Sequence, residues 1–210
     1  DGKGKNGELP PNNWPSVFGG DAWQRVIEAD GKPGQWYLHL FATEQPDFNW
    51  EHPEVREHFE SILKFWLDRG VDGFRIDVAH ALIKYPGLPD IPPARERASQ
   101  DEYVPDEERP MWDQDGVHEI YKSWRKILNS YPGDRMAVAE AWVSPASRIA
   151  RYLRPDELAN SFNFDFLTSL WEPAYLTGMI NRAVNAMSEV GAPPSWVFNN
   201  HDVTRSVDRF

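Results

Sequence analysis

Cysteine is absent from all 210 residues, which excludes disulfide cross-links and any thiolate-held metal. No basic run interleaved with aromatics occurs, and a formal net charge of -11 argues against a nucleic-acid partner. No apolar stretch approaches the ~18 residues that cross a bilayer, so no membrane association is expected, and the polar opening from Asp1 to Glu8 does not read as a signal peptide. His39, His52, His58, His80 and His118 show no His-Glu-x-x-His spacing and are expected at the surface or behind the site rather than on a metal, with His80, just beyond Asp77, set apart from the others by its place. Gly70 and Gly73 form no dinucleotide fingerprint, so no nucleotide cofactor is expected. What remains is an acidic chain suited to a neutral substrate, with a cytoplasmic setting expected and the oligomeric state unspecified.

Aromatic residues are what the chain has in excess. Its ten tryptophans exceed the needs of a core this size. Such rings serve equally as packing and as apolar platforms for sugars.

Residues 1–34 are rich in Gly, Pro and Asn and read as an irregular lobe. Gln35 to Phe41 alternates and predicts a short strand, which Gln45-Pro46-Asp47-Phe48-Asn49-Trp50 ends. From Glu54 to Arg69, Val55, Phe59, Ile62, Leu63 and Trp66 fall at helical spacing, with Pro53 in the first turn and Gly70 as the C-terminal cap. A strand over Gly73–Val78 follows. Gly87 to Asp115 is a long excursion of prolines and charges, read as a solvated loop that is either functional or mobile. Further elements are predicted as a helix over Val117–Leu128, a strand over Arg135–Glu140, a short helix over Ser147–Leu153, a strand over Ser161–Phe166, a helix over Leu167–Val190 and a strand over Trp196–Phe198. Alternating strands and helices specify an α/β fold with a parallel sheet.

Asp77, Glu140 and Asp202 each end a different predicted strand, where a βα barrel gathers its chemistry. Arg75, two residues before Asp77, shares one side of the strand with it. This pair reads either as a structural ion pair closing a turn or as an ionised nucleophile with its cation. Glu140, between Ala137-Val138-Ala139 and Ala141-Trp142, sits in apolar company that favours the proton-bearing form of an acid. Hydrolysis of a glycosidic bond with retention needs one carboxylate to attack and another to hand over a proton, with their carboxyl groups ~5–5.5 Å apart.

Four segments together resemble the α-amylase family of glycoside hydrolases. Gly73-Phe74-Arg75-Ile76-Asp77 is similar to its fourth-strand nucleophile motif, Val138-Ala139-Glu140-Ala141-Trp142 to its fifth-strand acid/base motif, and Phe198-Asn199-Asn200-His201-Asp202 to its seventh-strand motif. Gln45-Pro46-Asp47-Phe48-Asn49 resembles the marker near the end of its inserted second domain. The resemblance implies Asp77 as nucleophile, Glu140 as acid/base and Asp202 as transition-state stabiliser, with Arg75 and His201 contacting the sugar at the point of cleavage. It also implies a partial (β/α)8 TIM barrel of about strands four to seven over 51–210, preceded over 1–50 by the later part of the inserted domain.

Asn12-Asn13-Trp14, the Gln45 segment and Asn163-Phe164-Asp165-Phe166 are most similar to the α-glucosidase and oligo-1,6-glucosidase group, which implies release of glucose from short oligosaccharides. Val78 resembles the residue that often accompanies α-1,6 cleavage there, and the bond type stays open. A sugar-transferring relative and a non-catalytic partner subunit are the alternatives. No motif for the family's third barrel strand is found, so an internal fragment with little activity of its own is expected. No cofactor is implied; calcium occurs in parts of the family, and its usual ligands fall mostly outside these residues.

Overall fold

A computed structural model of the chain describes residues 2–93 and 104–209. The N-terminal part is a lobe around an antiparallel pair, β1 (Trp23–Ile27) and β2 (Pro33–Leu38). The irregular reading of residues 1–34 missed β1, which is mostly exposed and carries a bulge between Arg25 and Ile27, so no clean alternation marks it.

Helix α1 (Pro53–Leu67) opens on its proline and ends before Gly70, whose φ of +88° is free of penalty only for glycine. Leu63 and Leu67 are its buried residues, while Trp66 of the anticipated apolar stripe lies exposed. The chain then enters β3 (Gly73–Ile76). A Cβ at Gly73 would stand 2.5 Å from the Met136 carbonyl oxygen, so only glycine admits β4 (Met136–Ala139) this close. Strands β3, β4, β5 (Asn160–Asn163) and β6 (Ser195–Trp196) form a parallel sheet in that order. The crossovers contain α2 (Val117–Asn129), α3 (Ala146–Tyr152), and α4 (Phe164–Leu167) with α5 (Pro173–Glu189). Strand order follows chain order without reversal, as neighbouring strands of a βα barrel do. A last short helix, α6 (Ser206–Arg209), follows β6.

Two expectations are corrected. The strand predicted over Ser161–Phe166 stops at Asn163, because the Asn163 side chain accepts the Phe166 amide at 3.1 Å and caps α4. The helix predicted over Leu167–Val190 is broken, and α5 starts at Pro173, where a missing N–H costs nothing.

The main core lies between the sheet and α1, α2, α3 and α5, the last contributing Ala186 and Met187. Helix α2 buries eight of its thirteen residues, including Tyr121, Trp124 and Leu128, against the small side chains Ala137 and Ala139 of β4. Each large apolar side chain so buried contributes roughly 1.5–3 kcal/mol. Trp50 belongs to this core, packed on Phe59 and Trp124. A second cluster of Trp14, Ala22, Leu40, Ala81 and Met111 joins the lobe to the segment after β3.

The excursion after β3 is tied down on both described sides; its residues 94–103 lie outside the described residues. Trp14 Nε1 donates to the Pro89 carbonyl at 2.8 Å, and Asn13 exchanges hydrogen bonds with the Ile91 backbone. Beyond the gap, apart from a 3-10 turn at Asp106–Glu108, the chain is irregular. The solvated-loop reading of its acids fails at Asp113. That carboxylate is buried, pairs with Arg109 at 2.6 Å and with Arg148, and accepts the Tyr152 hydroxyl at 2.7 Å.

Candidate active site

Three of the carboxylates singled out in the sequence follow strands of the parallel sheet, and two of them follow adjacent ones. Asp77 comes directly after β3, with its side chain 71% exposed and its carboxylate paired with the Arg75 guanidinium. Glu140 comes directly after β4 and is buried. Its backbone continues the pairing past the strand ends: the Glu140 amide donates to Ile76 and its carbonyl accepts from Ala79, at 2.9 and 2.8 Å.

The Glu140 carboxyl group is fixed at both oxygens. Oε1 accepts the Trp142 indole N–H at 2.7 Å, and Oε2 accepts the Val78 backbone N–H at 2.7 Å. The alanines on either side of Glu140, Ala139 and Ala141, belong to the core packed beneath the helices. The two donors add a polar anchorage that flanking residue types did not reveal.

Val78 reaches Glu140 because its backbone is left-handed, with φ of +44°. For a β-branched residue this conformation is strained, at a cost of about 1–3 kcal/mol. The turn immediately behind Asp77 therefore holds strain and a hydrogen bond to the second carboxylate at one residue.

His80, three residues past Asp77, is not a surface histidine. It is buried, stacks on Trp112 with centroids 5.1 Å apart, and its Nδ1 has no hydrogen-bond partner among the described residues. Burial, reinforced by the nearby Lys84 charge, pushes its pKa down to about 3, so the ring is neutral. His39 and His118 are buried as well; His118 pairs with Glu157 at 2.7 Å, which is packing chemistry within the core. Among the described residues no group of three or more His, Asp or Glu converges as a metal-ligand set.

Lys84 joins this turn to the lobe. Its ammonium lies 2.8 Å from Asp47 and also donates to the Ala81 carbonyl, and the other Asp47 oxygen accepts the Leu40 amide at 2.8 Å. Burial lowers the Lys84 pKa, and the facing Asp47 opposes that shift. The aspartate of the Gln45-Pro46-Asp47-Phe48-Asn49 segment thus braces the chain just behind Asp77.

Aromatic rings pack along both segments that follow these strands. Phe18 meets Phe41 edge to face at 5.5 Å, Phe41 meets Trp112 at 6.5 Å, and Trp112 carries His80 of the segment after β3. Trp142, bonded to Glu140, stacks on Phe164 at 4.1 Å with planes 17° apart. None of these pairings has a sequence signal beyond the abundance of aromatics, although Trp142, two residues after Glu140, sits at strand spacing from it.

His201 and Asp202 lie apart from this group. They follow β6, at the opposite edge of the sheet from β3, and contact each other at 3.3 Å. Their loop is folded by Asn200, whose Oδ1 accepts the amides of Asp202 and Val203 at 3.0 and 3.1 Å. No hydrogen bond or ion pair among the described residues joins His201 or Asp202 to Asp77 or Glu140. The structure therefore brings together Arg75, Asp77 and Glu140, and separately His201 and Asp202.

Comparison with known proteins covers the chain from end to end. The family model described as the α-amylase catalytic domain matches residues 1–210. An oligo-1,6-glucosidase of Parageobacillus thermoglucosidasius is 39% identical over 99% of this chain and 37% of its own length. An α-glucosidase of Pediococcus pentosaceus is 36% identical over 98% of this chain and 37% of its own. The solved structure of an α-glucosyl transfer enzyme, XgtA, superposes with a TM-score of 0.81 at 31% identity, over 99% of this chain and 39% of that one. The chain thus spans little more than a third of the length of the curated relatives it matches. With parallel βα winding, carboxylates at the ends of its strands and a family match along its whole length, the chain belongs to the α-amylase family.

Proposed function

We propose that these residues form part of a retaining glycoside hydrolase that releases α-glucose from the non-reducing end of short α-glucosides of maltose or isomaltose type. The observation that carries this reading is the pairing of two unlike carboxylates on adjacent strand ends: Asp77, exposed beside a guanidinium, and Glu140, buried beneath two donors. An ion pair as exposed as Arg75–Asp77 adds only ~0–1 kcal/mol to stability, so a purely structural role leaves its position unexplained. In this reading Asp77 attacks the anomeric carbon and Glu140 protonates the leaving oxygen. A water then displaces Asp77 while Glu140 accepts its proton. Asp202 stabilises the positive charge on the ring, and Arg75 and His201 contact the sugar. The aromatic faces of Trp112 and Trp142 suit the C–H faces of a sugar.

On this reading the four parallel strands are the fourth to seventh of a (β/α)8 barrel over 51–210, and 1–50 is the later part of an inserted domain. Strands β3 and β6 are then closed by further strands of the barrel, which also brings Asp202 round to face Asp77. The reading needs no cofactor, and the lack of cysteine suits a reducing cytoplasm. Extending the reading frame outward from both ends tests the placement: it requires three strands upstream and an eighth downstream. Incubating the encoded protein with maltose and isomaltose tests the chemistry. Glucose first released as the α-anomer supports the reading, and the β-anomer overturns it.

Sugar transfer is the second reading, favoured by the likeness to a solved α-glucosyl transfer enzyme. It uses the same carboxylates and differs in how well water is excluded. At high maltose a dominant new oligosaccharide supports transfer, and free glucose supports hydrolysis.

A further inference from the structure

Trp142 touches the Glu140 carboxyl group through a directed hydrogen bond. Its Nε1–H donates to Oε1 at 2.7 Å, while its ring is fixed by the stack on Phe164 and is 42% exposed. An indole has one donor and no acceptor, so it can serve only an oxygen lone pair. With Val78 N–H on Oε2, the carboxyl plane is set by two donors on two different segments.

We infer that Trp142 is a positioning residue for proton transfer, aiming the Glu140 carboxyl at the leaving oxygen; this rests on the reading of Glu140 as the acid/base. As the bond from the anomeric carbon to the leaving oxygen breaks and the bond to an Asp77 oxygen forms, the Glu140 proton moves to the leaving oxygen. Glu140 is left as a carboxylate, and its electron pairs face the indole and Val78 N–H groups. Hydrogen bonds to an ionised acceptor are stronger than to a neutral one, so both donors gain as the proton departs. In the second half Glu140 takes a proton from water, the water oxygen bonds to the anomeric carbon, and the bond to Asp77 breaks. The indole then holds the same oxygen in place for the reverse transfer. A ring that merely packed beside the site would need the Phe164 stack but not the N–H.

The test separates the N–H from the ring. Trp142→Phe keeps an aromatic face on Phe164 and removes the donor. In the protein carrying these residues, kcat/KM for maltose should fall about 10- to 100-fold, the weight of a hydrogen bond to a charged group. For p-nitrophenyl α-glucoside, whose leaving group needs little protonation, it should stay within about twofold. Equal loss on both substrates, or no loss on either, overturns the inference. Glu140→Gln is run beside it. If that variant itself loses both substrates equally, the acid/base reading fails and the inference with it; if it shows the split while Trp142→Phe does not, only the role of Trp142 fails. Should Trp142→Phe not fold, Trp142→Leu, which keeps apolar bulk against Phe164 and lacks the donor, takes its place. The same split between the two substrates supports the inference, and equal loss or no loss overturns it.

Discussion

The Val78 amide donates to Glu140 Oε2 across two adjacent strands, from a backbone that a β-branched residue adopts only under strain. The segment behind one carboxylate thus anchors the other. Glu140→Gln should make this coupling visible in stability. A side-chain amide cannot accept at both ends, so either the Trp142 or the Val78 N–H loses its partner. Urea denaturation should report a loss of about 1–3 kcal/mol, together with a fall in turnover of about 10²- to 10⁴-fold if Glu140 is the acid/base.

Asp113 is expected to matter as much for stability as any apolar core residue. Its carboxylate faces Arg109, Arg148 and the Tyr152 hydroxyl with almost no exposure. Removing it takes one carboxylate from each of Arg109 and Arg148, which keep Asp106 and Asp115, and takes the acceptor from the buried Tyr152 hydroxyl, so Asp113→Ala should cost about 1–3 kcal/mol in urea denaturation. Asp113→Asn, which tolerates the residue's left-handed φ of +52° and keeps an acceptor, should cost clearly less.

His80 predicts a pH dependence. Its pKa in the folded chain is depressed from 6.5 to about 3 by burial and by Lys84. Between those values the unfolded chain holds a proton that the folded chain does not. Stability from this group is therefore fully present above pH 6.5 and drains away as the pH falls toward about 3, at ~1.4 kcal/mol per unit. Unfolding free energies of His80→Gln should show a shallower decline over that window than those of the parent chain.

Lys84 and Asp47 should be energetically coupled. Both side chains are largely buried and meet at 2.8 Å. A double-mutant cycle with Lys84→Met and Asp47→Ala should give a coupling of about 1–3 kcal/mol in urea denaturation. A value near zero would show that the ion pair adds nothing to the apolar cluster around Trp14 and the hydrogen bonds that tie the lobe to this segment.

The sequence made the parallel βα alternation legible because period and punctuation agree at Gly70, Gly73, Val117 and Met136. Agreement broke down where a side chain bonded its own backbone. Asn163 capping α4 inside an alternating aromatic run looks like strand until the cap is seen. Arg75, Asp77 and Glu140 were legible as charges ending apolar runs. The indole of Trp142, the amide of Val78 and the burial of Asp113 were not, since each depends on a partner 2, 62 and 35 residues away whose approach no local pattern encodes. Even the separation of two among these, Trp142 and Glu140, says nothing of which way an indole turns.

The excursion after β3 begins and ends at points that are already joined. The Asp113 amide donates to the His80 carbonyl at 2.6 Å, and the Tyr85 amide to the Pro110 carbonyl at 2.7 Å. A loop whose feet are clamped transmits little of its length to its foundations, and each doubling adds only ~0.6 kcal/mol of closure entropy. Insertions and deletions between those feet can therefore accumulate among descendants of this sequence while β3 and β4 keep their spacing. Such variation leaves the Glu140 carboxyl group and its two donors undisturbed.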